Sequence, residues 1–257
     1  MLFVIDIGNT NTVLGLYDAG TLVHRFRIQT NTASTSDEYA VLVQQLFALR
    51  PIRPTDIDGC ILASVVPPMT PLFVEMIRAT FGFEPLVVGP GIKTGMPIRY
   101  ENPREVGADR IVNAIAAYER THTASVVVDF GTATTFDAIS SHGDYLGGAI
   151  CPGVTISADA LYRRASRLPR VEIRAPDQVI GRNTVASMQA GIVFGYVDMV
   201  DGMVRRIVAE NGEDMSVIAT GGLARLFAEH CTEIHSYDED LTLEGLRIIY
   251  ERNADGV

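Results

Sequence analysis

Two short segments of this chain each end an apolar run in an aspartate that is followed by glycine and small hydroxyl or amide residues. The first segment, Val4–Thr12, contains Asp6, and the second, Val127–Thr135, contains Asp129. In each, glycine lets a ligand approach the backbone, and consecutive N–H groups can bind an anion. An aspartate at each strand end could place two carboxylates across a cleft, where they organise a hydrated cation between nucleotide phosphates. The pair of segments therefore indicates phosphoryl transfer.

The simpler interpretation of Asp6 and Asp129 is that each carboxylate only accepts hydrogen bonds from its own turn, as aspartate often does beside glycine. The repeat favours a functional role, because hydroxyl and amide donors follow both residues. Because the same pattern occurs twice in the chain, we also expect a duplicated fold with two lobes.

A third segment, Val217–Ala224, predicts an apolar strand that ends in Gly221 and Gly222 before a helix. The backbone of such a junction could pass closely under an adenine or a ribose. The alternative is a tight connection between two elements with no ligand.

A fourth segment, Gly107–Arg110, opens a predicted helix, where Asp109 could serve only as an N-terminal cap. A kinase also needs a carboxylate that orients or deprotonates the attacking hydroxyl. The pKa of such a group can stay low, because a loose transition state demands little early proton transfer. The neighbouring Arg110 could hold an anionic group of the substrate.

The elements that must position these residues follow from turn signals and hydrophobic periodicity. In the first half we expect an antiparallel start, then alternating helices and strands, and a long functional loop over residues 89–107. The capping-box pattern Thr35–Glu38 opens the first helix. The predicted strands are 2–7, 12–18, 21–28, 59–66 and 85–88, and the predicted helices are 39–49, 71–81 and 108–120.

The second half begins with another hairpin unit, at about residues 125–150, and is richer in helices. The predicted helices are 154–166, 183–210 and two terminal ones, with a strand at 217–220. We place the division at the helix that follows the long loop, near residue 115, which gives domains 1–115 and 116–257. No low-complexity linker separates the halves.

Composition limits the class of protein. The chain has 257 residues, 47% of them apolar, and a net charge of −10, which argues against a nucleic-acid surface. Asp6 interrupts the apolar start and no later apolar run reaches spanning length, so neither a signal peptide nor a membrane span is expected. Three widely spaced cysteines without a paired zinc pattern are typical of a reduced, cytoplasmic protein.

Together the motifs resemble those of the type III pantothenate kinases, a family of the actin-like, sugar-kinase and heat-shock ATPase superfamily. Asp6–Asn11 is similar to the first phosphate motif of the family, Asp129–Thr134 to the second, and Gly221–Ala224 to its adenosine motif. The resemblance covers essentially the whole chain. It implies an α/β, two-lobed actin-like ATPase (ribonuclease H-like) fold with duplicated mixed-sheet lobes.

The resemblance also implies ATP-dependent phosphorylation of pantothenate to 4'-phosphopantothenate, with magnesium and a monovalent cation, potassium or ammonium, in a homodimer with a shared active site. Asp109 would be the proton acceptor, and Asp129 and Asp6 the metal-binding residues. The residues that would contact ATP are Asp6, Ile7, Gly8, Asn9, Thr10, Asn11, Thr12, Val13, Thr132, Gly221 and Gly222. The pantothenate pocket would be formed by Tyr100, Gly107, Ala108, Asp109 and Arg110, with Thr184 from the neighbouring subunit.

Two alternatives share the same turns. One is another small-molecule kinase of the superfamily that acts on a sugar or a carboxylate. The short chain and the match of Gly107–Arg110 to the pantothenate kinase family argue against this alternative. The other is a regulatory relative that keeps the fold without turnover, since fold alone does not determine function. The presence of Asp6, Asp109 and Asp129 favours an enzyme.

Overall fold

The computed structural model describes residues 1–254, which form two compact units. Unit 1 comprises Met1–Gly95, Asn102–Ala116 and the residues from Thr242 onward, whereas unit 2 comprises Met96–Glu101 and Ala117–Leu241. The units are therefore interleaved along the chain rather than continuous, unlike the predicted halves 1–115 and 116–257. Residues 255–257 of the second predicted half lie outside the described residues.

The strands and helices follow the predicted order closely. The strands are β1 (Leu2–Ile7), β2 (Asn11–Asp18), β3 (Thr21–Gln29), β4 (Gly59–Ser64), β5 (Leu86–Val87), β6 (Ser125–Phe130), β7 (Ala133–Ile139), β8 (Tyr145–Pro152), β9 (Ser216–Gly221) and β10 (Ser236–Tyr237). The helices are α1 (Ser36–Ala48), α2 (Met69–Phe81), α3 (Ala108–Thr121), α4 (Val154–Arg164), α5 (Thr184–Asn211), α6 (Ala224–Ala228) and α7 (Leu241–Ala254).

Each unit contains one five-stranded sheet, and the two sheets have the same strand order and directions. In unit 1 the order is β3-β2-β1-β4-β5, and in unit 2 it is β8-β7-β6-β9-β10. The first three strands are antiparallel neighbours and the last two run parallel to the central strand. Asp6 is the penultimate residue of the central strand β1, and Asp129 is the penultimate residue of the central strand β6. The predicted duplication is thus confirmed in the topology.

Local signals in the sequence set where the helices begin and end. The capping box of α1 is present, because Thr35 N–H donates to Glu38 Oε2 (2.7 Å) and Glu38 N–H donates to Thr35 Oγ1 (3.3 Å). Helix α2 ends at Gly82 and helix α5 at Gly212, both with a positive φ of +80° and +77°, which glycine adopts without steric cost.

Each sheet is covered by its own apolar core. In unit 1 the core packs α1 and α2 against β1, with Phe3, Phe47 and Phe73 fully or almost fully buried. In unit 2 the core lies between the sheet and the helices α4, α5 and α6, and Phe136 and Phe227 are its largest fully buried side chains. These cores hold the central strands, and therefore the aspartates at their ends, in place.

Helix α7 returns the end of the chain to unit 1. Gly245 packs so tightly on α3 that a Cβ atom there would lie 2.2 Å from the Val112 carbonyl oxygen. Asn253 exchanges two hydrogen bonds with the backbone of Lys93, at 3.1 Å and 2.9 Å. Across residues 1–254, no helix combines the length and the apolar character needed to cross a membrane.

Candidate active site

The β1–β2 turn is the first predicted phosphate motif, and its glycine lies close to the backbone of the turn. Gly8 N–H donates to the Asn11 carbonyl oxygen (3.1 Å), which closes the turn. A Cβ atom on Gly8 would lie 3.0 Å from that oxygen, which is a tight contact. Asn9, Thr10 and Asn11 are exposed on the outside of the turn. These residues are therefore accessible to a ligand.

Thr30, the residue after β3, supports this turn and was not identified from the sequence. Its hydroxyl donates to the Gly8 carbonyl oxygen (2.7 Å) and lies 2.9 Å from the Thr12 hydroxyl. Its N–H donates to the Thr10 carbonyl oxygen (3.0 Å). A lone threonine after a strand gives no sequence signal of this role, because the contacts depend on the β2–β3 register.

Asp109 lies in the first turn of α3, as predicted. The Arg110 N–H donates to Asp109 Oδ1 (2.8 Å), and a Cβ atom on Gly107 would lie 2.5 Å from the same oxygen. Burial raises the pKa of Asp109, and the Arg110 N–H and guanidinium charge only partly oppose this effect. The expectation of a low pKa for this carboxyl is therefore wrong, because the sequence does not reveal how far the group is desolvated.

The structure brings this segment close to the first phosphate motif through Val65. The Val65 N–H donates to the carbonyl oxygen of Ile7 (3.1 Å), at the end of β1. A Cβ atom on Gly107 would be 3.7 Å from Val65 Cγ1. Within unit 1, Val65 thus contacts both segments: Ile7, next to Asp6, and Gly107, two residues before Asp109.

In unit 2, Gly221 lies directly against the carboxylate of Asp129. Gly221 has a φ of +91°, and a Cβ atom there would lie 2.5 Å from Asp129 Oδ1 and 2.7 Å from the Phe130 carbonyl oxygen. The two predicted motifs therefore meet at the ends of the parallel strands β6 and β9, where Phe130 pairs with Gly221. Both oxygens, one from a carboxylate and one from a peptide group, therefore lie next to Gly221. Oxygen atoms of these two kinds are the usual protein ligands of hard cations.

The β6–β7 turn, which contains Thr132, is supported from behind by Gly153. A Cβ atom on Gly153 would lie 2.1 Å from the Thr132 carbonyl oxygen. Tyr196 of α5 holds the adjacent backbone, since its hydroxyl donates to the Pro152 carbonyl oxygen (2.8 Å) and lies 2.5 Å from Ser157 Oγ. Thr132 itself is exposed. Sequence reasoning did not find Tyr196, because its hydroxyl reaches the turn only through the packing of α5 on α4.

Tyr100 lies in the segment Met96–Glu101 of the long loop, and this segment belongs to unit 2. Its ring lies beside Gly147, whose Cβ position is 3.5 Å away, and 6.5 Å from the ring of Tyr145 between centroids. The Arg99 N–H donates to the Tyr145 carbonyl oxygen (2.8 Å), and the buried Tyr145 hydroxyl donates to Asp137 (2.7 Å). Tyr100 is thus placed by the edge of the sheet rather than by a free loop.

Thr184 is the first residue of α5, which is capped by the Asn183 side chain accepting from the Ala186 N–H (2.9 Å). Two exposed apolar side chains precede this helix start in the sequence: Val179 is 69% exposed and Ile180 82% exposed.

Metal ligation by protein side chains alone is not found in the described part of the chain. Among residues 1–254, no three or more histidine, cysteine, aspartate or glutamate side chains are grouped closely enough to hold a metal ion.

Comparison with known proteins gives close relatives. A family model described as type III pantothenate kinase matches residues 2–206. The type III pantothenate kinase of Myxococcus xanthus is 58% identical over 253 residues, which cover 98% of this chain and 99% of the relative. That of Geobacter sulfurreducens is 56% identical over 255 residues, 99% of this chain and all of the relative.

Among solved structures, the inorganic polyphosphate/ATP-glucomannokinase of Arthrobacter sp. strain KM is similar with a TM-score of 0.51 and 15% identity, covering 98% of both chains. This likeness concerns the fold alone. The repeated mixed sheets, each with a glycine-containing turn after its central strand, form an α/β fold that is similar to the fold of this kinase. The family model and the relatives show that the chain belongs to the type III pantothenate kinase family.

Proposed function

We propose that this protein transfers the γ-phosphoryl group of ATP to the terminal hydroxyl of pantothenate, which yields ADP and 4'-phosphopantothenate and begins coenzyme A biosynthesis. The observation that carries this function is the 58% identity to a type III pantothenate kinase over 98% of the chain. A bond forms between the substrate oxygen and the γ-phosphorus, while the bond from that phosphorus to the bridging oxygen breaks. The protein has to position both ligands and stabilise phosphate charge.

ATP is assigned to residues 6–13, Thr132, Gly221 and Gly222. This assignment is supported by the exposed, closed turn after β1 and by the exposed Thr132 beside Gly153. Successive N–H groups of such turns bind phosphate oxygens. Magnesium enters with ATP as part of the substrate, and Asp6 would hold it through water or phosphate oxygens.

The monovalent cation, potassium or ammonium, is assigned to Asp129. Support comes from the carboxylate and the Phe130 carbonyl oxygen, which both lie next to Gly221. When bound, the cation would offset phosphate charge at this position.

Asp109 is assigned as the acceptor of the hydroxyl proton of pantothenate. A carboxylate whose pKa is raised by burial is a better base than an exposed aspartate. Gly107, Ala108, Arg110 and Tyr100 are assigned to the pantothenate pocket. The guanidinium of Arg110, a buried side chain, would attract the pantothenate carboxylate.

Thr184 is assigned to the pantothenate site of a second subunit, so that the active unit is a homodimer. The exposed apolar residues Val179 and Ile180, next to the start of α5, support this assignment because a dimer would cover them. We assign the enzyme to the cytoplasm, where ATP is available; its three free cysteines suit a reducing compartment.

The direct test is ADP release from magnesium-ATP with and without pantothenate, in sodium, potassium and ammonium buffers. Turnover that requires pantothenate, and that is faster in potassium or ammonium than in sodium, is the expected result. Turnover with a sugar in place of pantothenate would instead indicate another kinase of the class. Binding to duplex DNA at low salt without any turnover would indicate a regulatory relative.

A further inference from the structure

Thr30 connects the core of unit 1 to the β1–β2 turn through three polar contacts. Its hydroxyl has one proton, which is donated to the Gly8 carbonyl oxygen at 2.7 Å. The hydroxyl of Thr12, 2.9 Å away, must therefore donate to Thr30 Oγ1. Thr12 is fully buried, whereas Thr30 and Gly8 are partly exposed, so the pair of hydrogen bonds joins the core to the surface turn.

The main chain beside Thr30 is itself fixed by Tyr39 of α1. The Asn31 N–H donates to the Tyr39 hydroxyl (2.9 Å), and that hydroxyl donates back to the Asn31 carbonyl oxygen (3.3 Å). Tyr39 is 2% exposed, and its ring packs on Phe73 with 4.7 Å between centroids. A buried aromatic side chain therefore holds the segment that supports the turn.

These contacts determine which way the turn presents its N–H groups. In a planar trans peptide, the carbonyl oxygen and the N–H of the next residue point in opposite directions. Since Thr30 binds the Gly8 carbonyl oxygen, the Asn9 N–H points away from Thr30, and Asn9 is exposed. An N–H held in this way loses little conformational freedom when it binds an anion.

We propose that Thr30 is a positioning residue for the phosphates of the nucleotide, acting through Gly8 and Thr10 without contacting the ligand. This inference rests on the proposed function only in taking the ligand to be ATP. It concerns nucleotide affinity and leaves the identity of the phosphoryl acceptor open.

The test compares Thr30→Val, which keeps the branched shape but removes the hydroxyl, with Thr30→Ser, which keeps the hydroxyl. Thr21→Val is the matched control, because Thr21 begins the same strand β3 at its opposite end. The readouts are calorimetric affinity for magnesium-ADP without pantothenate, and KM for each substrate. We expect Thr30→Val to weaken nucleotide affinity and raise KM for ATP roughly tenfold, the effect of about one lost hydrogen bond. The KM for pantothenate should change less than about twofold, and Thr30→Ser and Thr21→Val should resemble the parent protein.

If Thr30→Val does not fold, Tyr39→Phe is the second variant that tests the inference. It removes only the hydroxyl that holds the Asn31 backbone. It should weaken magnesium-ADP affinity in the same direction. Unchanged affinity in the folded variant, or an equal rise in both KM values, would overturn the inference, as would a parent protein that binds no nucleotide. A parent protein that binds magnesium-ADP through Thr30 yet does not phosphorylate pantothenate would support the inference and reject the proposed substrate.

Discussion

The Cβ position of Gly221 lies 2.5 Å from Oδ1 of Asp129, so the predicted adenosine motif and the second predicted phosphate motif are in direct contact. Any side chain at residue 221 must displace the carboxylate. We therefore expect Gly221→Ala to raise the potassium concentration needed for half-maximal activity roughly tenfold or more, since over 1 kcal/mol of binding would be lost. The measurement is a potassium titration at saturating ATP.

Gly212→Ala is the control for backbone strain in that experiment. Gly212 also has a positive φ, of +77°, but no atom lies within 4 Å of its Cβ position. Gly212→Ala should lose about 1–2 kcal/mol of unfolding free energy, because alanine is strained in this region. Gly221→Ala should lose more, because its Cβ atom also clashes with Asp129 and with the Phe130 backbone. Only Gly221→Ala should change the potassium requirement, and an equal change in both variants would show that the contact with Asp129 is irrelevant.

Asp109→Asn should lower kcat by about 10²–10⁴-fold, the usual contribution of a general base. In the parent enzyme the base must be ionised, so activity should fall as the pH drops through the pKa of Asp109. Because burial raises that pKa, the fall should occur above the ordinary aspartate value of 3.8. The pH profile of kcat/KM for pantothenate measures this limb, and an acid limb at or below the ordinary value would contradict the assignment.

The direction of the change in stability caused by Asp109→Asn can also be predicted. A raised carboxyl pKa means that folding favours the protonated form, so its stabilising effect is present at low pH and is lost as pH rises through the folded pKa. The neutral asparagine avoids that loss. Thermal unfolding at pH 7 should therefore show a melting temperature for Asp109→Asn no lower than that of the parent enzyme.

Tyr196→Phe should raise KM for ATP, because the hydroxyl that holds the Pro152 carbonyl next to Gly153 and Thr132 would be gone. Tyr118→Phe is matched to it, since the Tyr118 hydroxyl binds the Ser141 carbonyl oxygen (3.3 Å) beyond the opposite end of β7. Each variant should lose about 1 kcal/mol of unfolding free energy. Steady-state kinetics in ATP separates them, and the idea fails if KM rises equally in both.

A mixture of two inactive variants tests the shared site. If Thr184 completes the site of the neighbouring subunit, a heterodimer of Asp109→Asn and Thr184→Ala chains contains one intact site and one site with both changes. Random mixing after mild denaturation and refolding should restore about a quarter of the parent activity. No recovery, although mass spectrometry detects the heterodimer, would place Thr184 in the site of its own chain.

The elements of this fold are largely predictable because their signals are local. The Thr35–Glu38 capping box and the glycines Gly82 and Gly212 mark helix ends through hydrogen bonding and backbone preference within a few residues. Strand β10, Ser236–Tyr237, was missed because two exposed residues carry no periodicity and pair only through their parallel neighbour β9.

Only the parts of the candidate site whose functional groups come from consecutive residues can be predicted from the sequence. The turns after Asp6 and Asp129 repeat such a pattern, and the sheets place both aspartates at equivalent positions. The supports of these turns, Thr30 and Tyr196, come from distant elements, so no sequence window contains both a support and its partner. The raised pKa of Asp109 is likewise a property of packing.

The return of α7 to unit 1 makes the completion of unit 1 depend on the translation of unit 2. The packing of unit 1 on Val112 and Lys93 requires Gly245 and Asn253, which follow the residues of unit 2 along the chain. The unit that carries Asp6 and Asp109 is thus completed only after unit 2 has been translated, and removal of α7 would damage a unit whose other residues are made earlier.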